Sequence, residues 1–462
     1  MLGILLKTEL RRTLRNPQFR LMWGIIVCIF LCGTISFHSQ WKNRAAEFSQ
    51  WQQAHEKDSF TYRLTSKALS WDEYRFPPLF SEVIDPCSRT LLPQSITYSA
   101  FKIVNYNVML VSENPLIEKK SPLSWSFITS TLLSFVALLL SYNAVSKYKN
   151  TLSPAFLFSY PVSRTVFIFS RFLSAWLLCG LILASGMFIS VVYLSFAGKE
   201  VTEIFLLESI GFFLYSMLFL SLFISFGILS SVVTQRPGSS LLICVAFWLA
   251  SIVILPNCHQ FIARHLYPFS ETRSDMELKI EAERMRLIVS SPAGSMSSRE
   301  DSIDYAPHKE RAKLFTKIND SYKHHFNAYA EGTFQQYEQT LNALKLSPYN
   351  LYQQMNEQWL DAGYTRFKKN WEAMKVFQKE YEEWFKAEDA KDSLSPHWYN
   401  PIENLSTSRK KIRGTEFPDY AEPVVSYSQR SLSIVKYVLI VSCMGFFLLI
   451  ISIFAFNKYD VR

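Results

Sequence analysis

The residues that could carry metal or nucleophilic chemistry are scattered along this 462-residue chain. His324 and His325 are adjacent, so on a helix their side chains diverge by about 100° and cannot face one metal ion. The sequence contains no HExxH, GxSxG or CxxC arrangement. Its 14 glycines include no G-x-x-x-x-G-K-[ST] loop, whose backbone amides would hold the phosphates of a nucleotide. The pattern predicts a non-catalytic chain with no metal site and no cofactor of its own.

Two of the seven cysteines fall in polar segments of the chain, and these two are Cys87 and Cys258. The other five lie in apolar runs, where cysteine acts as a small apolar residue; they are Cys28, Cys32, Cys179, Cys244 and Cys443. In an oxidising compartment, Cys87 and Cys258 could form a disulfide that ties the two polar segments together. Two unpaired thiols are an equally good interpretation.

Six apolar runs are each long enough to cross a bilayer core, which takes about 20 residues. They lie at 21–38, 125–145, 168–196, 205–232, 239–256 and 436–456. Two polar insertions separate them, at 39–124 and 257–435. Core helices of soluble proteins seldom run this long without a central charge. The sequence therefore predicts a mainly α, six-helix polytopic membrane protein.

Basic residues near the span ends predict the orientation of the chain. Segments 1–20, 146–167, 233–238 and 457–462, extended to Arg171, carry 12 basic residues against two acidic ones. The rest of the chain is close to neutral, so we expect these segments and both termini in the cytoplasm. The basic isoelectric point is then a topology signal, and nucleic acid is not expected as a partner. The first span reads as a retained anchor because no small-residue cleavage pattern follows it.

Apolar periodicity predicts that the second insertion is mostly helical, with helices at 276–289, 308–344 and 349–388. The apolar stripe of the first helix comprises Leu278, Ala282, Met285 and Val289, and that of the second comprises Leu314, Ile318, Tyr322, Phe326 and Tyr329. The third helix is rich in aromatic residues, which we interpret as core or as a surface that faces a partner. The first insertion combines a helix at 40–56 with irregular or short-strand segments. We expect both insertions to fold together as one mainly helical extracytoplasmic domain.

The spans lack the charged relays that ion-coupled carriers need inside the membrane. Glu208 and Lys436 lie near the predicted outer boundary and Arg171 near the inner one, where interfacial anchoring is the simplest role. A secondary transporter or an ion channel is therefore disfavoured. Any energy for transport would have to come from a separate polypeptide that binds the cytoplasmic segments.

The first cytoplasmic segment, 1–20, predicts an amphipathic elbow helix on the membrane surface. Leu6, Leu10 and Leu14 recur at four-residue steps opposite a basic face that would contact lipid phosphates. The residues of that face are Lys7, Arg11, Arg12 and Arg15.

The second cytoplasmic segment contains "LSPAFLFSYPVSR" at 152–164. Residues 151–160 can form a short helix with Leu152, Phe156 and Leu157 on one face, and Pro161 ends it because proline lacks an N–H. Such a helix is poorly stable alone, which favours docking into a groove of another protein.

The "TL…FLFSYPVSR" pattern between the second and third of six spans resembles the ABC-2 type permeases of type V ABC transporters. The resemblance implies a coupling helix that fits a cleft in an ATPase subunit. It maps onto Thr151, Leu152, Phe156, Leu157, Ser159, Pro161, Val162, Ser163 and Arg164. The "TQRPGS" loop at 234–239, with Gln235 and Arg236, takes the place of the second cytoplasmic contact. Tyr148, Lys149 and Asn150 stand where the family usually has an acidic residue and a glycine.

A narrower resemblance links 346–377 to the subgroup with a domain of unknown function, DUF3526, whose members carry large external insertions after spans one and five. Ser347, Pro348, Ala362 and Gly363 match its helix start and turn.

Together the two resemblances imply a permease subunit of an ABC exporter in a bacterial inner membrane. Two ATPase copies would bind ATP and Mg²⁺, and a second permease would complete the complex as a homodimer or a paralogous heterodimer. Two alternatives remain open: a subunit that transmits force to periplasmic partners without moving a substrate through itself, and a non-ABC membrane receptor or scaffold.

Overall fold

The computed structural model describes residues 2–55, 61–87, 92–101, 104–106, 123–149, 163–197, 201–291, 305–399 and 410–458. Six of its helices are long and apolar enough to cross a membrane. In chain order they are α2 (Pro17–Ala54), α4 (Trp125–Lys149), α5 (Arg164–Ala197), α6 (Glu203–Val233), α7 (Pro237–Asn257) and α13 (Tyr427–Lys458). The predicted six-span, mainly α architecture is confirmed, and every predicted apolar run lies inside one of these helices.

Helix α6 forms the centre of the bundle. It packs against α4, α5, α7 and α13, and its contact with α13 is the most extensive between any two described helices. Its rings Phe212, Phe219 and Phe223 are fully buried. In contrast, α13 exposes Phe446 and Phe454, at 65% each. A soluble protein would expose few such rings, so this face fits a lipid environment.

Two span helices contain a wider π-helical turn, in α4 at Ile128–Leu133 and in α7 at Leu249–Ile254. The two helices meet beside these turns, where the indole of Trp248 donates a hydrogen bond of 3.0 Å to the hydroxyl of Ser134. Such single π turns shift the register of the helix that follows them.

The two insertions fold around a common core, and we call the resulting unit the insertion domain (61–106 and 259–420). Its helices are α3 (Leu64–Leu69), α8 (His259–His265), α9 (Arg273–Ser290), α10 (Tyr305–Ala343), α11 (Pro348–Leu360) and α12 (Gly363–Asp389). Its strands are β1 (Thr61–Arg63), β2 (Asp72–Arg75), β3 (Ser95–Tyr98), β4 (Asn105–Tyr106) and β5 (Lys411–Arg413). Strand β1 of the first insertion pairs antiparallel with β5 of the second, and β2-β3-β4 form an antiparallel sheet. Residues of both insertions share this one core, and helices make up most of the unit.

Aromatic side chains fill the core of the insertion domain. Trp371 of α12 is buried, and its ring centroid lies 5.0 Å from that of Tyr106 and 5.9 Å from that of Phe326. Tyr106 of the first insertion therefore meets residues from two helices of the second insertion. The aromatic stripe predicted for the third helix does form core, as Trp371 and Tyr381 illustrate.

The predicted third helix, 349–388, is in fact two helices that are broken at 361–363. Asp361 and Gly363 both adopt left-handed backbone angles, with φ of 47° and 58°. A Cβ at position 363 would lie 2.3 Å from the carbonyl oxygen of Cys87. Glycine is needed here because the first insertion passes directly against the turn.

Two other helix predictions also need correction. The buried face of α9 is that of Met276 and Ile280, whereas Leu278, Met285 and Val289 of the predicted stripe are exposed. The sequence offers an apolar row on either side of this helix, and packing against α10 selects the other one. The predicted helix at 40–56 is not separate either, because α2 continues unbroken from its span to Ala54.

Candidate coupling site

The basic segments predicted to be cytoplasmic meet at one end of the bundle, which we call the basic face. There the end of α4 is fastened to the end of α6. The ammonium group of Lys149 donates to the carbonyl oxygen of Thr234 at 2.9 Å. The hydroxyl of Ser231 accepts the backbone N–H groups of Val145 and Ser146, each at 2.9 Å. The last carbonyls of a helix lack intrahelical partners and favour a cation, so Lys149 stabilises the end of α6.

Helix α5 begins at Arg164, directly after Ser163. One guanidinium nitrogen of Arg164 donates to the carbonyl oxygens of Phe456 at 3.0 Å and Asn457 at 2.8 Å. These are terminal carbonyls of α13, so the same physics applies at this end. The hydroxyl of Ser163 accepts the N–H of Val166 at 3.3 Å in the first turn of α5. The other predicted coupling residues lie outside the described residues; they are Thr151, Leu152, Phe156, Leu157, Ser159, Pro161 and Val162.

The second predicted contact loop lies beside this arrangement. Gln235 and Arg236 are exposed between α6 and α7, and Pro237 starts α7 at a position where its missing N–H costs nothing. Ser240 in the first turn of α7 donates to the carbonyl oxygen of Tyr142 at 2.7 Å. The loop and the end of α4 therefore form one continuous surface.

The predicted elbow helix is present as α1 (Leu2–Arg15), and it packs against α5. Leu6 and Leu10 are half-buried. The four predicted basic residues are exposed; they are Lys7, Arg11, Arg12 and Arg15. Asn16 caps the next helix by accepting the N–H of Gln18 at 3.0 Å, which separates the elbow from α2.

Sequence reasoning missed the ion pair that holds the elbow in place. The carboxylate of Glu9 pairs with the guanidinium of Arg171, which also donates to the hydroxyl of Tyr148 at 2.7 Å. Arg171 was predicted to anchor the chain at the membrane surface. It instead connects α1, α4 and α5, and its side chain is 13% exposed.

A second polar junction joins the insertion domain to the other end of the bundle. Helix α11 packs against both α6 and α13. The indole of Trp359 donates to the carbonyl oxygen of Glu208 at 2.9 Å, and the carboxylate of Glu208 lies 3.1 Å from the guanidinium of Arg430. Two turns further along α6, Tyr215 donates to the side-chain oxygen of Asn356 at 2.8 Å. Glu208 is thus a buried ion-pair partner, at 8% side-chain exposure, rather than an interfacial anchor.

Two buried acidic residues lie behind this junction. Asp85 accepts the N–H of Cys87 at 2.8 Å and the amide of Asn356 at 2.5 Å, and burial raises its pKa. Glu357 is 3% exposed, and its Oε2 has no hydrogen-bond partner among the described residues. Burial, with a smaller contribution from Asp85, raises the pKa of Glu357 to about 8. Glu357 therefore holds a proton at neutral pH. No sequence motif marked either residue.

The two cysteines considered for a disulfide are free thiols in the structure, as are the other five. Cys87 is fully buried against the turn at Gly363, and burial together with nearby carboxylates raises its pKa. Cys258 is partly exposed at the end of α7. Of the two alternatives, the structure has the unpaired one. No group of three or more His, Cys, Asp or Glu residues that could hold a metal ion occurs within the described ranges.

None of the curated proteins compared with the chain is similar to it. The family model described as ABC-2 family transporter protein matches residues 4–461. That range includes all six span helices, both insertions and both junctions. The chain therefore belongs to the ABC-2 family of transporter proteins.

Proposed function

We propose that the chain is the permease subunit of a type V ABC exporter of the DUF3526 subgroup, driven by a separate ATPase. Membership in the ABC-2 family supports a permease role. One observation supports the coupling role of 150–163: each end of this segment is fastened to a different span helix. Lys149 binds the end of α6, and Arg164 binds the end of α13.

This geometry connects the segment to two span helices. A displacement of the segment by a bound ATPase would act on the ends of α6 and α13 together. These two helices form the most extensive helix pair, and both contact α11 of the insertion domain. Motion at the basic face would therefore reach the insertion domain as a rigid-body movement, one of the known forms of such transitions.

The proposed complex contains two ATPase copies, which bind ATP and Mg²⁺, and a second permease that is either identical or paralogous. One six-helix chain supplies half of such a transporter. The excess of basic residues supports cytoplasmic termini and an inner-membrane location, with the insertion domain in the periplasm. The exposed basic residues of α1 would then contact anionic lipid headgroups.

A second candidate function is force transmission to a periplasmic partner, without a substrate passing through the chain. The polar junction at α11 favours it, because Trp359, Glu208 and Arg430 tie the insertion domain to the spans through buried contacts. A structure of the assembled complex without a passage between the two permeases would favour this function over export. Family membership argues against the remaining alternative, a non-ABC membrane receptor or scaffold.

The coupling role can be tested with tagged chain purified from native membranes. Replacing Phe156 and Leu157 by Asp should remove the co-purifying ATP-hydrolysing subunit, because charged side chains would not enter an apolar cleft. Leu346→Asp is the matched control, since Leu346 is 75% exposed in the insertion domain. Arg164→Gln should keep the ATPase bound but lower the effect of the permease on its hydrolysis rate. Undiminished ATPase recovery with the double Asp variant would refute the proposal.

A further inference from the structure

A cavity of about 460 Å³ lies where the insertion domain meets the start of span helix α13. The end of α10, the helix α11 and the start of α12 form its walls. Lys436 and Tyr437 of α13 complete its lining, and the uninterrupted apolar run of α13 begins directly after Lys436. The volume is within the range of small-molecule sites, about 300–1,000 Å³. The cavity therefore opens at the level where a bilayer would begin.

The charges around the cavity are mostly positive. Four lysines line it, Lys345, Lys368, Lys369 and Lys436, against the two carboxylates Glu338 and Glu372. An excess of cations in a concave site concentrates the field and attracts anions. The lining is thus suited to a negatively charged group.

Two of these lysines are already neutralised by neighbouring carboxylates. Lys368 pairs with Glu338, and Lys369 pairs with Asp361. Among the described residues, Lys345 and Lys436 have no carboxylate partner, and the ammonium of Lys436 lies 4.7 Å from the ring centroid of Tyr437. Two cations, one in the turn after α10 and one on α13, are therefore available for a ligand, against the single remaining lining carboxylate of Glu372.

An amide group adds a neutral donor beside these cations. The hydroxyl of Tyr437 donates to the side-chain oxygen of Gln354 at 3.3 Å, which fixes that oxygen as an acceptor. The Nε2 group of Gln354 then remains a donor in the cavity lining. Ammonium and amide donors together suit an oxyanion, with charge-assisted contacts from the lysines.

We propose that this cavity binds the anionic headgroup of an amphiphile, a phosphate-bearing lipid whose tail remains beside α13. The position of the cavity favours a ligand that arrives from the bilayer, since Lys436 and Tyr437 lie at the start of an apolar helix face. Such a residue pair is typical of membrane interfaces, where the cation reaches headgroups and the ring lies at their level. This inference goes beyond the coupling role of the chain and does not depend on it.

The test uses the full chain reconstituted in nanodiscs of phosphatidylcholine with or without phosphatidylglycerol. Phosphatidylglycerol should raise the thermal midpoint of the wild-type chain, and Lys345→Gln combined with Lys436→Gln should lose most of that shift. Loss of two charge-assisted contacts should weaken binding at least about ten-fold. The matched control is Lys379→Gln combined with Lys411→Gln, two exposed lysines of the same domain outside the cavity. The control variant should keep the full shift.

Soluble glycerol 3-phosphate, added to chain in neutral nanodiscs, identifies the source of the anion. A lysine-dependent shift with phosphatidylglycerol alone supports a lipid ligand. An equal lysine-dependent shift with glycerol 3-phosphate would overturn the lipid assignment in favour of a soluble anion. An unchanged shift in the Lys345/Lys436 variant, or an equal loss in the control, would overturn the site itself.

Discussion

Glu357 gives the sharpest prediction about stability and pH. Its side chain is 3% exposed, and burial raises its pKa from 4.5 to about 8. The folded chain thus holds a proton that the unfolded chain releases above about pH 4.5. A group with a raised folded-state pKa stabilises the fold fully below its unfolded pKa, and this contribution is lost as the pH rises through the folded pKa. The protonated Glu357 should therefore stabilise the fold at pH 5 and scarcely at pH 8.

The magnitude follows from the two pKa values. One shifted pKa unit corresponds to about 1.4 kcal/mol, so linkage between 4.5 and about 8 removes about 3–4 kcal/mol between pH 5 and pH 8. Glu357→Gln keeps the shape of the side chain but has no titrating proton. The variant should therefore become more stable relative to wild type as the pH rises, by an amount of this order.

The assay is unfolding of the purified chain in one detergent, followed by tryptophan fluorescence at several pH values. Comparing variant and wild type at each pH cancels the effect of pH on the detergent. Glu380→Gln, which changes an exposed carboxylate on α12, is the control and should leave the pH dependence as in wild type. A constant difference between Glu357→Gln and wild type from pH 5 to pH 8 would refute the assignment of a buried, protonated Glu357.

Three further substitutions test contacts that hold the structure together. Arg430→Met leaves the buried carboxylate of Glu208 without its ion-pair partner, which should lower the free energy of unfolding by about 3–5 kcal/mol. In a double-mutant cycle, adding Glu208→Gln should recover most of this loss. Additive losses in the two single variants would contradict the ion pair. Gly227→Ala places a Cβ 1.9 Å from the hydroxyl of Ser141 and should lower the thermal midpoint through a loss of about 1–3 kcal/mol. Ser141→Gly should partly restore that midpoint, whereas no restoration would place the strain elsewhere. Gly363→Ala should lower the free energy of unfolding, measured with a chemical denaturant, by at least about 1–2 kcal/mol. The reason is that residue 363 has a φ of 58° and an added Cβ would lie 2.3 Å from a backbone carbonyl oxygen. An unchanged unfolding midpoint would mean that the turn has another conformation.

The six spans could be predicted because each rests on a property of consecutive residues, and the joint insertion domain because the spans bring the ends of the two insertions together. A run of about 20 apolar residues identifies a span regardless of its partners. Helix periodicity predicted the helices of the second insertion in the same way. Periodicity could not identify the buried one of the two apolar rows of α9, since only the packing partner decides which row is buried. The stripe containing Leu278 and Val289 was wrong for that reason.

The contacts that hold the two junctions depend on residues far apart in the chain, which no local pattern records. Glu208 and Arg430 are one example, and Glu9 and Arg171 are another. Glu357 left a weak signal, because it lies two residues before Trp359 in a stretch that also carries Met355 and Leu360. A charged residue in such a stretch is a sign of an unusual environment. Its proton, however, follows from burial, which the sequence does not give.

Lys149 illustrates how a departure from a family pattern can have its own structural reason. The resemblance to type V permeases leads one to expect an acidic residue and a glycine just before the coupling segment, where this chain has Tyr148, Lys149 and Asn150. In the structure, Lys149 binds terminal carbonyls of α6, and the hydroxyl of Tyr148 accepts from Arg171. An acidic residue at 149 would face those carbonyls with the wrong charge. The basic residue therefore suits the helix end that it contacts.

The distribution of polar contacts along α6 and α13 indicates how the two helices could move. Polar fastenings lie at both ends of the pair, with Lys149 and Arg164 at the basic face and Glu208 with Arg430 at the insertion domain. Between them the interface is largely apolar, and Gly445 lies near the hydroxyl of Ser221 and the backbone of Leu222. Apolar contacts are non-directional, so the middle of the interface accommodates small adjustments while the pair moves. The ion pair and the terminal hydrogen bonds are directional and would keep their partners. We therefore expect a push at the basic face to tilt the pair as a unit and to displace α11 with it.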